Sequence, residues 1–391
     1  MTYQQEPTVT VSSRGEERVR AGHPWIYRAD VTGVWAEGGD TVLVSGPRGR
    51  PVGRALFSDR SQIALRLLTT GDLRAGLDLW RVRLESAIAF RRQLGIDATA
   101  YRLVHGDADL LPSLVVDQYG QYLVVQALAQ GTERLLPDLV GMLDTLLKPA
   151  GILARHDVRV RQLEGLDSSV TLLAGEVPAV VTVRDGSVTY EADLWHGQKT
   201  GLFLDQRENR AAARASVRGR VLDAFSYHGA FALQLADRCD HVVALDVSEE
   251  AVAQISRNAA RNGLTNIEAR CGNVFDTLRA MDRAGERFET IVLDPPAFAK
   301  NKDAVEKAYA GSKEINLRAL KLLTPGGVLV TCSCSYHVDE AMLGQIVYDA
   351  SIDARVRVTV LEKRMQSRDH PVLLGVPDTY YLKCLILRKL A

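Results

Sequence analysis

The sequence has 391 residues, of which 46% are hydrophobic and 25% are charged, with 48 basic and 48 acidic side chains. This length predicts two or three domains, and the zero net charge argues against a protein that coats nucleic acid through its overall charge. The 5 cysteines have no regular spacing, so no disulfide framework is expected. No apolar run approaches the roughly 18 to 20 residues of a membrane span, and residues 1–6 lack the apolar stretch of a signal peptide. We therefore expect a cytoplasmic protein without membrane association.

Residues 1–74 predict a small β-rich domain, because short apolar runs alternate with glycine-containing turns. The expected strands are 8–11, 33–35, 40–45, 51–57 and 63–68. Arginines interleaved with Trp25, Tyr27 and Trp35 are compatible with an RNA-binding surface. They are equally compatible with an aromatic core and a solvated basic face, and the sequence leaves both interpretations open.

Residues 75–190 predict a central α+β domain. Apolar residues recur at helical spacing from Leu77 to about Leu94. Two hairpins are expected, one turning at Gly120 and one through Asp185-Gly186. A helix at 131–148 and a strand at 151–155 lie between them.

Residues 191–391 predict a doubly wound α/β domain. From about residue 219, apolar strands alternate mostly with amphipathic helices. The expected strands are 220–225, 241–246, 267–271, 288–294, 327–333, 356–362 and 380–389. The last two strands have no helix of comparable length between them, which allows an antiparallel edge.

Candidate cofactor residues follow the first three strands of this sheet, where doubly wound folds bind ligands. The first strand ends at Asp223, and the loop after it contains Phe225 and the single glycine Gly229. NAD-binding loops carry several glycines instead. The second strand ends at Asp246, where an acid can accept both ribose hydroxyls, and the third leads to Asn273, whose amide suits an adenine edge. These residues favour S-adenosylmethionine over NAD.

Candidate reacting residues follow the fourth and fifth strands. Asp294-Pro295-Pro296 offers a carboxylate and carbonyls without competing N–H groups, which suits a base with an amino group. Position C5 of a pyrimidine accepts a methyl group only after a thiolate adds to C6, and the fifth strand ends near Cys332 and Cys334. We therefore predict that Asp294 and a cysteine are catalytic, with Pro295 and Pro296 at the substrate base. Asp294 is also expected to contact the cofactor.

Cys334 is the preferred nucleophile, because it is nearer the open end of the strand than Cys332, which is more typical of a core position. A metal site built from these two cysteines and His337 is disfavoured, since no second ligand pair has zinc-like spacing, and no metal is expected. Three further cysteines are interpreted as small core residues: Cys239, Cys271 and Cys384.

Several of these motifs resemble one known family, the large-subunit ribosomal RNA cytosine-5 methyltransferases of the RlmI type. The resemblance rests on Asp223-x-Phe225, Asp294-Pro-Pro-Ala-Phe298-x-Lys300, Cys334-Ser335, Asp369-His-Pro371 and Tyr381-Leu-Lys383. His23-Pro-Trp25 and the segment from Gly106 to Tyr119 also match, so the similarity covers almost the whole chain. It implies a PUA domain at 1–74, a central α+β domain at 75–190, a Rossmann-like methyltransferase domain at 191–391, and 23S rRNA as substrate.

The resemblance also implies roles for the segment 198–207, which in that family helps to enclose the cofactor. It assigns Phe203, Gln206 and Arg207 to the cofactor, and Lys199 and Lys300 to the substrate. Within the same segment, we expect Asp205 to cap the helix that runs to residue 214.

Two departures from the pattern of RNA cytosine-5 methyltransferases matter. Many of these enzymes carry a second cysteine directly after the two prolines, where this chain has Ala297. The RlmI type shares this lack, so another group or water must remove the C5 proton. Asn273 stands where Asp is common, which should alter the adenine contacts. Two alternatives stay open: methylation of guanine N7 or an exocyclic amine without a nucleophilic cysteine, and an RNA-binding protein without catalysis. The sequence also leaves open whether the chain forms a homodimer.

Overall fold

The computed structural model of the protein describes residues 6–298 and 305–390. Its internal contacts divide the chain into two compact units. The first comprises residues 1–183, 192–204 and 368–379, and the second comprises residues 184–191, 205–367 and 380–391.

The strands are β1 (Thr8–Val11), β2 (Trp25–Tyr27), β3 (Val31–Trp35), β4 (Thr41–Ser45), β5 (Pro51–Phe57), β6 (Ile63–Thr70), β7 (Ala100–His105), β8 (Leu114–Tyr119), β9 (Tyr122–Ala127), β10 (Gly151–Arg155), β11 (Val170–Gly175), β12 (Val180–Asp185), β13 (Val188–Asp193), β14 (Arg220–Ala224), β15 (His241–Asp246), β16 (Ile267–Cys271), β17 (Phe288–Leu293), β18 (Leu323–Ser333), β19 (Val358–Met365) and β20 (Lys383–Lys389). The helices are α1 (Ser13–Arg20), α2 (Leu77–Gln93), α3 (Gln130–Arg134), α4 (Leu136–Leu147), α5 (Arg207–Arg214), α6 (Ala230–Leu235), α7 (Glu249–Arg261), α8 (Val274–Arg283), α9 (Val305–Leu322) and α10 (Glu340–Ala354).

The first unit begins with a six-stranded sheet in the order β2-β6-β5-β4-β1-β3. Its core is built largely from aliphatic side chains, including Val9, Val42 and Leu65. The interpretation of the aromatic residues as this core is therefore wrong: Trp25 and Tyr27 are half-buried, and Trp35 is 67% exposed. The sequence pattern missed α1, which is mostly charged, and β2, which has only three residues.

The first unit continues with a five-stranded sheet in the order β11-β10-β9-β8-β7. Apolar residues of α2 and α4 pack against it, among them Trp80, Leu84 and Leu139. The single helix expected at 131–148 is instead two helices, α3 and α4, which meet at Leu135. Strands β12 and β13 form the predicted second hairpin, and residue 190 lies within β13. The domain boundaries near 75 and 190 stay predictions.

The second unit contains a seven-stranded sheet in the order β16-β15-β14-β17-β18-β20-β19. Strands β14 to β18 are parallel, and β20 is antiparallel to both β18 and β19, as the missing helix suggested. Alternate residues of each strand enter cores on opposite faces: Leu222 contributes to one and Val221 to the other. The predicted doubly wound fold class is confirmed.

This topology brings the ends of five strands together. Because β14 to β18 run parallel, their carboxyl ends lie along one edge of the sheet. Among the described residues, no helix combines the length and apolarity that a membrane crossing needs.

Candidate active site

The loop after β14 has an unusual backbone. Phe225, Tyr227 and Gly229 all have left-handed conformations, with φ values of 65°, 50° and 83°. Two of these residues are not glycine, and such backbone strain is concentrated at functional sites. A Cβ atom at position 229 would lie 3.2 Å from the side chain of Ile255, so glycine also allows α7 to approach closely.

Asp223 lies at the start of this loop and is 1% exposed. Its Oδ2 accepts hydrogen bonds from the hydroxyl of Ser226 at 2.6 Å and from the amide of Ala232 at 3.0 Å. Its Oδ1 is buried and has no hydrogen-bond partner among the described residues. Burial is the main cause that raises the pKa of Asp223 to about 6, and the nearby charge of Asp246 adds to it. A ligand that donates an N–H group to Oδ1 would satisfy this atom.

Asp246 ends β15 and is half-buried. Its Oδ2 accepts from the amide of Tyr227 at 2.8 Å, and its Oδ1 accepts from the amide of Ser248 at 3.0 Å. Each carboxylate oxygen can accept a second hydrogen bond, so the group can still receive two hydroxyl donors. This geometry is compatible with the predicted contact to ribose.

Asn273 is exposed and is the N-cap residue of α8. Its side-chain oxygen accepts from the amides of Phe275 at 3.0 Å and Asp276 at 3.4 Å. The oxygen is therefore engaged by the helix, while the amide nitrogen keeps its two donors for a ligand. The sequence predicts that this amide both donates to and accepts from an adenine edge, but its oxygen already accepts from the helix.

Three aromatic rings lie together next to these strand ends. The ring of Phe298 is 6.4 Å from that of Phe225 and 6.0 Å from that of Phe275, measured between centroids. Half-buried aromatic side chains of this kind provide a surface for a planar heterocycle. Of these three rings, the sequence interpretation placed only that of Phe225 in the cofactor site. The signal that could have identified the other two is a phenylalanine within five residues of each strand end.

The Asp294-Pro295-Pro296 segment follows β17. Asp294 is half-buried, and its Oδ1 accepts a hydrogen bond of 2.8 Å from the side-chain amide of Gln206. The side-chain oxygen of Gln206 in turn accepts a hydrogen bond of 2.7 Å from the side-chain amide of Asn209. Gln206, which the family resemblance assigned to the cofactor, thus also orients the predicted catalytic carboxylate. Pro295 is buried and Pro296 is exposed.

The two neighbouring cysteines differ in environment. Cys332 is 2% exposed and lies opposite Cys384 on β20. A hydrogen bond with Cys384 and burial raise the pKa of Cys332 well above its ordinary value, and the negative charge of Asp294 acts in the same direction. Cys334 is half-buried, and its Sγ lies 4.0 Å from the carbonyl oxygen of Pro295. Of the two thiols, Cys334 is the one that a ligand can reach.

Two further predictions from the sequence are wrong: the core position of Cys271 and the capping of α5 by Asp205. Cys384 is buried as expected and Cys239 is half-buried, but Cys271 is exposed, so its interpretation as a core residue is wrong. Cys271 ends β16, one of the two edge strands of the seven-stranded sheet. Asp205 does not cap α5: the N-cap is Gln206, without a side-chain capping bond, and the carboxylate of Asp205 accepts from the hydroxyl of Tyr381 at 2.8 Å.

The remaining predicted site residues are spread along the chain. Arg207 is the first residue of α5 and is buried in the second unit. Lys199 and Phe203 belong to the first unit, where the ammonium of Lys199 lies 4.4 Å from the centre of the Phe203 ring. Lys300 lies outside the described residues. Within the described ranges, no group of His, Cys, Asp or Glu side chains has a geometry for holding a metal ion.

Comparison with known proteins defines the class of this protein. Residues 9–70 match a PUA-like domain, and residues 102–365 match the S-adenosylmethionine-dependent methyltransferase family. Two solved structures each align over 97% of this chain and 99% of their own. The first is a candidate methyltransferase in complex with SAH, with a TM-score of 0.84 and a sequence identity of 20%. The second is a candidate SAM-dependent methyltransferase from Streptococcus mutans, with a TM-score of 0.82 and a sequence identity of 18%. The chain is an S-adenosylmethionine-dependent methyltransferase with an N-terminal PUA-like domain.

More similar relatives narrow this class. Proteins named ribosomal RNA large subunit methyltransferase I from Tolumonas auensis, Shewanella denitrificans and Escherichia coli O139:H28 are 38%, 37% and 36% identical to this chain. The alignments cover 97%, 96% and 95% of this chain, and 99%, 97% and 97% of the relatives. The chain belongs to this family.

The strand-end residues fit S-adenosylmethionine, the cofactor of the family. This molecule supplies a methyl group on a sulfonium centre. Asp223 has a buried acceptor without a partner among the described residues, Asp246 retains lone pairs for hydroxyl groups, and the Phe298 cluster offers aromatic faces. Negative charge at this edge of the sheet suits a cationic ligand.

Proposed function

We propose that this protein methylates C5 of a cytosine in 23S ribosomal RNA, through a covalent bond between Cys334 and C6 of the base. The observation that carries the proposal is the position of Cys334. Its thiol is half-buried, 4.0 Å from the carbonyl of Pro295, and β17 and β18 are neighbouring parallel strands. A nucleophile and a base-binding carboxylate therefore follow adjacent strand ends. The names of the relatives support ribosomal RNA as substrate, which agrees with the cytoplasmic location expected from the sequence.

The reaction combines addition of the thiolate, transfer of the methyl group and elimination of the thiolate. The thiolate of Cys334 bonds to C6, and the electrons of the C5–C6 double bond move toward C5 and the ring. C5 then attacks the methyl carbon of the bound methyl donor. The bond between that carbon and sulfur breaks, and the sulfonium becomes a neutral thioether. A base removes the proton from C5, and the electrons of that C–H bond restore the double bond and expel the thiolate. Asp294, oriented by Gln206, would hold the N3 and N4 edge and favour protonation at N3 during the addition.

The environment of Cys332 supports the assignment of the nucleophile to Cys334. Its raised pKa disfavours the thiolate form, and a thiol is a much weaker nucleophile than a thiolate. Cys332 also packs within the core that contains Cys384 and Val330. Attack from this position would require the base to enter the sheet.

The decisive experiment compares Cys334→Ala with Cys332→Ala. We expect the first variant to lose methyl transfer by at least about 10³-fold while it still binds S-adenosylmethionine, since a covalent nucleophile has no substitute in this mechanism. Cys332→Ala should keep most of the activity, because a buried thiol is replaced by a slightly smaller group. Bisulfite mapping of 23S rRNA, with and without each variant, identifies the product cytosine.

A second measurement tests the covalent bond itself. RNA that contains 5-fluorocytosine carries fluorine where the C5 proton would leave, so the adduct should accumulate with the wild type and be absent with Cys334→Ala. Full activity of Cys334→Ala, with the methyl group on a guanine or an exocyclic amine, would establish the alternative chemistry at Asp294. Failure of the wild type to bind S-adenosylmethionine in calorimetry would favour an RNA-binding protein without catalysis.

A further inference from the structure

A buried lysine lies beside the strand end that carries Cys334. Lys383 begins β20, opposite Ser333 of β18, and is 1% exposed. Its ammonium donates to the carbonyl oxygen of Ser335 at 2.7 Å and to that of Tyr381 at 3.1 Å. Among the described residues, no carboxylate oxygen lies within salt-bridge distance of this nitrogen. The ammonium is thus held by neutral acceptors directly next to the predicted nucleophile.

Burial of an ammonium without a paired carboxylate is costly, so a nearby negative charge would stabilise it. Burial lowers the pKa of Lys383, and two anionic groups oppose this effect: first Cys334 and then Asp339. Uncharged neighbours of Lys383 include the ring of Tyr380, 5.9 Å from the ammonium, and Met365, its partner on β19. The thiolate of Cys334 is therefore the leading source of negative charge for Lys383.

We propose that Lys383 is a positioning residue that maintains Cys334 as a thiolate and holds the backbone that follows it. This proposal rests on the proposed function, in which Cys334 attacks C6. The thiol releases its proton to solvent, the ammonium keeps its three protons, and the resulting ion pair has no net charge. A cation next to a cysteine favours the thiolate. The hydrogen bond to Ser335 fixes the chain one residue beyond the sulfur.

The test measures alkylation of Cys334 by iodoacetamide as a function of pH, in the full-length protein, with peptide mass spectrometry to resolve the site. Only the thiolate reacts, so the midpoint of the rate profile reports the ionisation of Cys334 without any need for activity. In the wild type we expect a midpoint below about 8.5, the ordinary value for a free cysteine. In Lys383→Met the midpoint should rise by at least about one pH unit, which slows alkylation at pH 7 by about tenfold.

The chain provides a matched control on the same strand. Lys389 also donates to two backbone carbonyls, those of Leu320 and Leu323, and burial lowers its pKa too. Lys389→Met therefore removes a comparable lysine at the other end of β20 and should leave the alkylation profile of Cys334 unchanged. Lys383→Arg keeps the positive charge and should restore a low midpoint.

Each result decides the proposal. An unchanged midpoint in folded Lys383→Met overturns it, as does a wild-type midpoint at or above about 8.5. If Lys383→Met does not fold, the wild-type profile alone decides, because a low midpoint supports the ion pair. These outcomes are separate from the proposed function. Loss of methylation in Cys334→Ala together with an ordinary midpoint would retain the covalent mechanism and reject the role of Lys383.

Discussion

A single carboxyl group at the end of β14 links stability to ligand binding. Asp223 is buried, and its pKa is raised to about 6, mainly by that burial. The folded protein therefore binds this proton more tightly than the unfolded chain does. The group stabilises the fold below about pH 4, and this contribution is lost as pH rises through about 6. A shift of about two units corresponds to about 3 kcal/mol. At neutral pH, Asp223 destabilises the protein without its ligand.

We expect Asp223→Asn to remove this pH dependence. Relative to the variant, the free energy of unfolding of the wild type should fall by up to about 3 kcal/mol between pH 4 and pH 7, as measured by urea denaturation. The affinity for S-adenosylmethionine at pH 7 should fall at least about tenfold in calorimetry, because a charged acceptor is lost. Glu250→Gln, on the exposed surface of α7, is the control. If the free energy of unfolding changed with pH in the same way in wild type and Asp223→Asn, this account would be contradicted.

The cysteines show how much of a residue's environment can be predicted from its position in the sequence. Position along the strand was enough to prefer Cys334 over Cys332, since the residue nearer the carboxyl end of a parallel strand lies nearer the edge of the sheet that binds ligands. The exposure of Cys271 could not be foreseen in the same way. It depends on the order of strands in the sheet, which makes β16 an edge, and that order comes from contacts between distant segments.

At the scale of elements, the start of α8 combines a structural role with a predicted ligand-binding role. Asn273 satisfies two backbone amides of the first turn with its side-chain oxygen, and it leaves its amide nitrogen for a ligand. Asp, which the family resemblance implies at this position, caps helices equally well. The sequence analysis identified Asn273 but assigned both the oxygen and the nitrogen of its side chain to adenine.

Two substitutions separate these roles. Asn273→Ala should lower the free energy of unfolding by about 1 kcal/mol because the cap is lost, whereas Asn273→Asp should stay within about 0.5 kcal/mol of the wild type. Urea denaturation measures both. Since Asn273→Asp keeps the cap and removes the N–H donors, its affinity for S-adenosylmethionine reports the contribution of the amide nitrogen. Equal stability of all three proteins would exclude the capping role.

At the scale of the whole molecule, residues 368–379 belong to the first compact unit, although the chain before and after them belongs to the second. The chain leaves the seven-stranded sheet after β19, contributes residues 368–379 to the first unit, and returns at Tyr380 before β20. Buried charges hold this segment in the first unit. Asp369 is 0% exposed, its carboxylate accepts from the amide of Arg102 at 2.9 Å, and its carbonyl oxygen accepts from Arg91 at 2.8 Å.

We expect Asp369→Ala to destabilise the protein by about 3 kcal/mol, because it leaves the backbone amide of Arg102 without this acceptor and removes a buried charge. Asp378→Ala changes an exposed carboxylate of the same segment and should stay within about 0.5 kcal/mol. The measurement is the shift of the urea unfolding transition. Similar shifts for both variants would show that the segment is not held by Asp369.

The sequence by itself determined the doubly wound sheet, the three acids at its strand ends and the choice of cofactor. These features are encoded locally, in the alternation of apolar strands with amphipathic helices and in the residue that ends each strand. Only the tertiary structure decided that Lys383 donates to the residue after Cys334, that Gln206 orients Asp294, and that Asp205 contacts Tyr381. Each of these contacts joins residues that are far apart in the chain, so a local sequence pattern does not predict it.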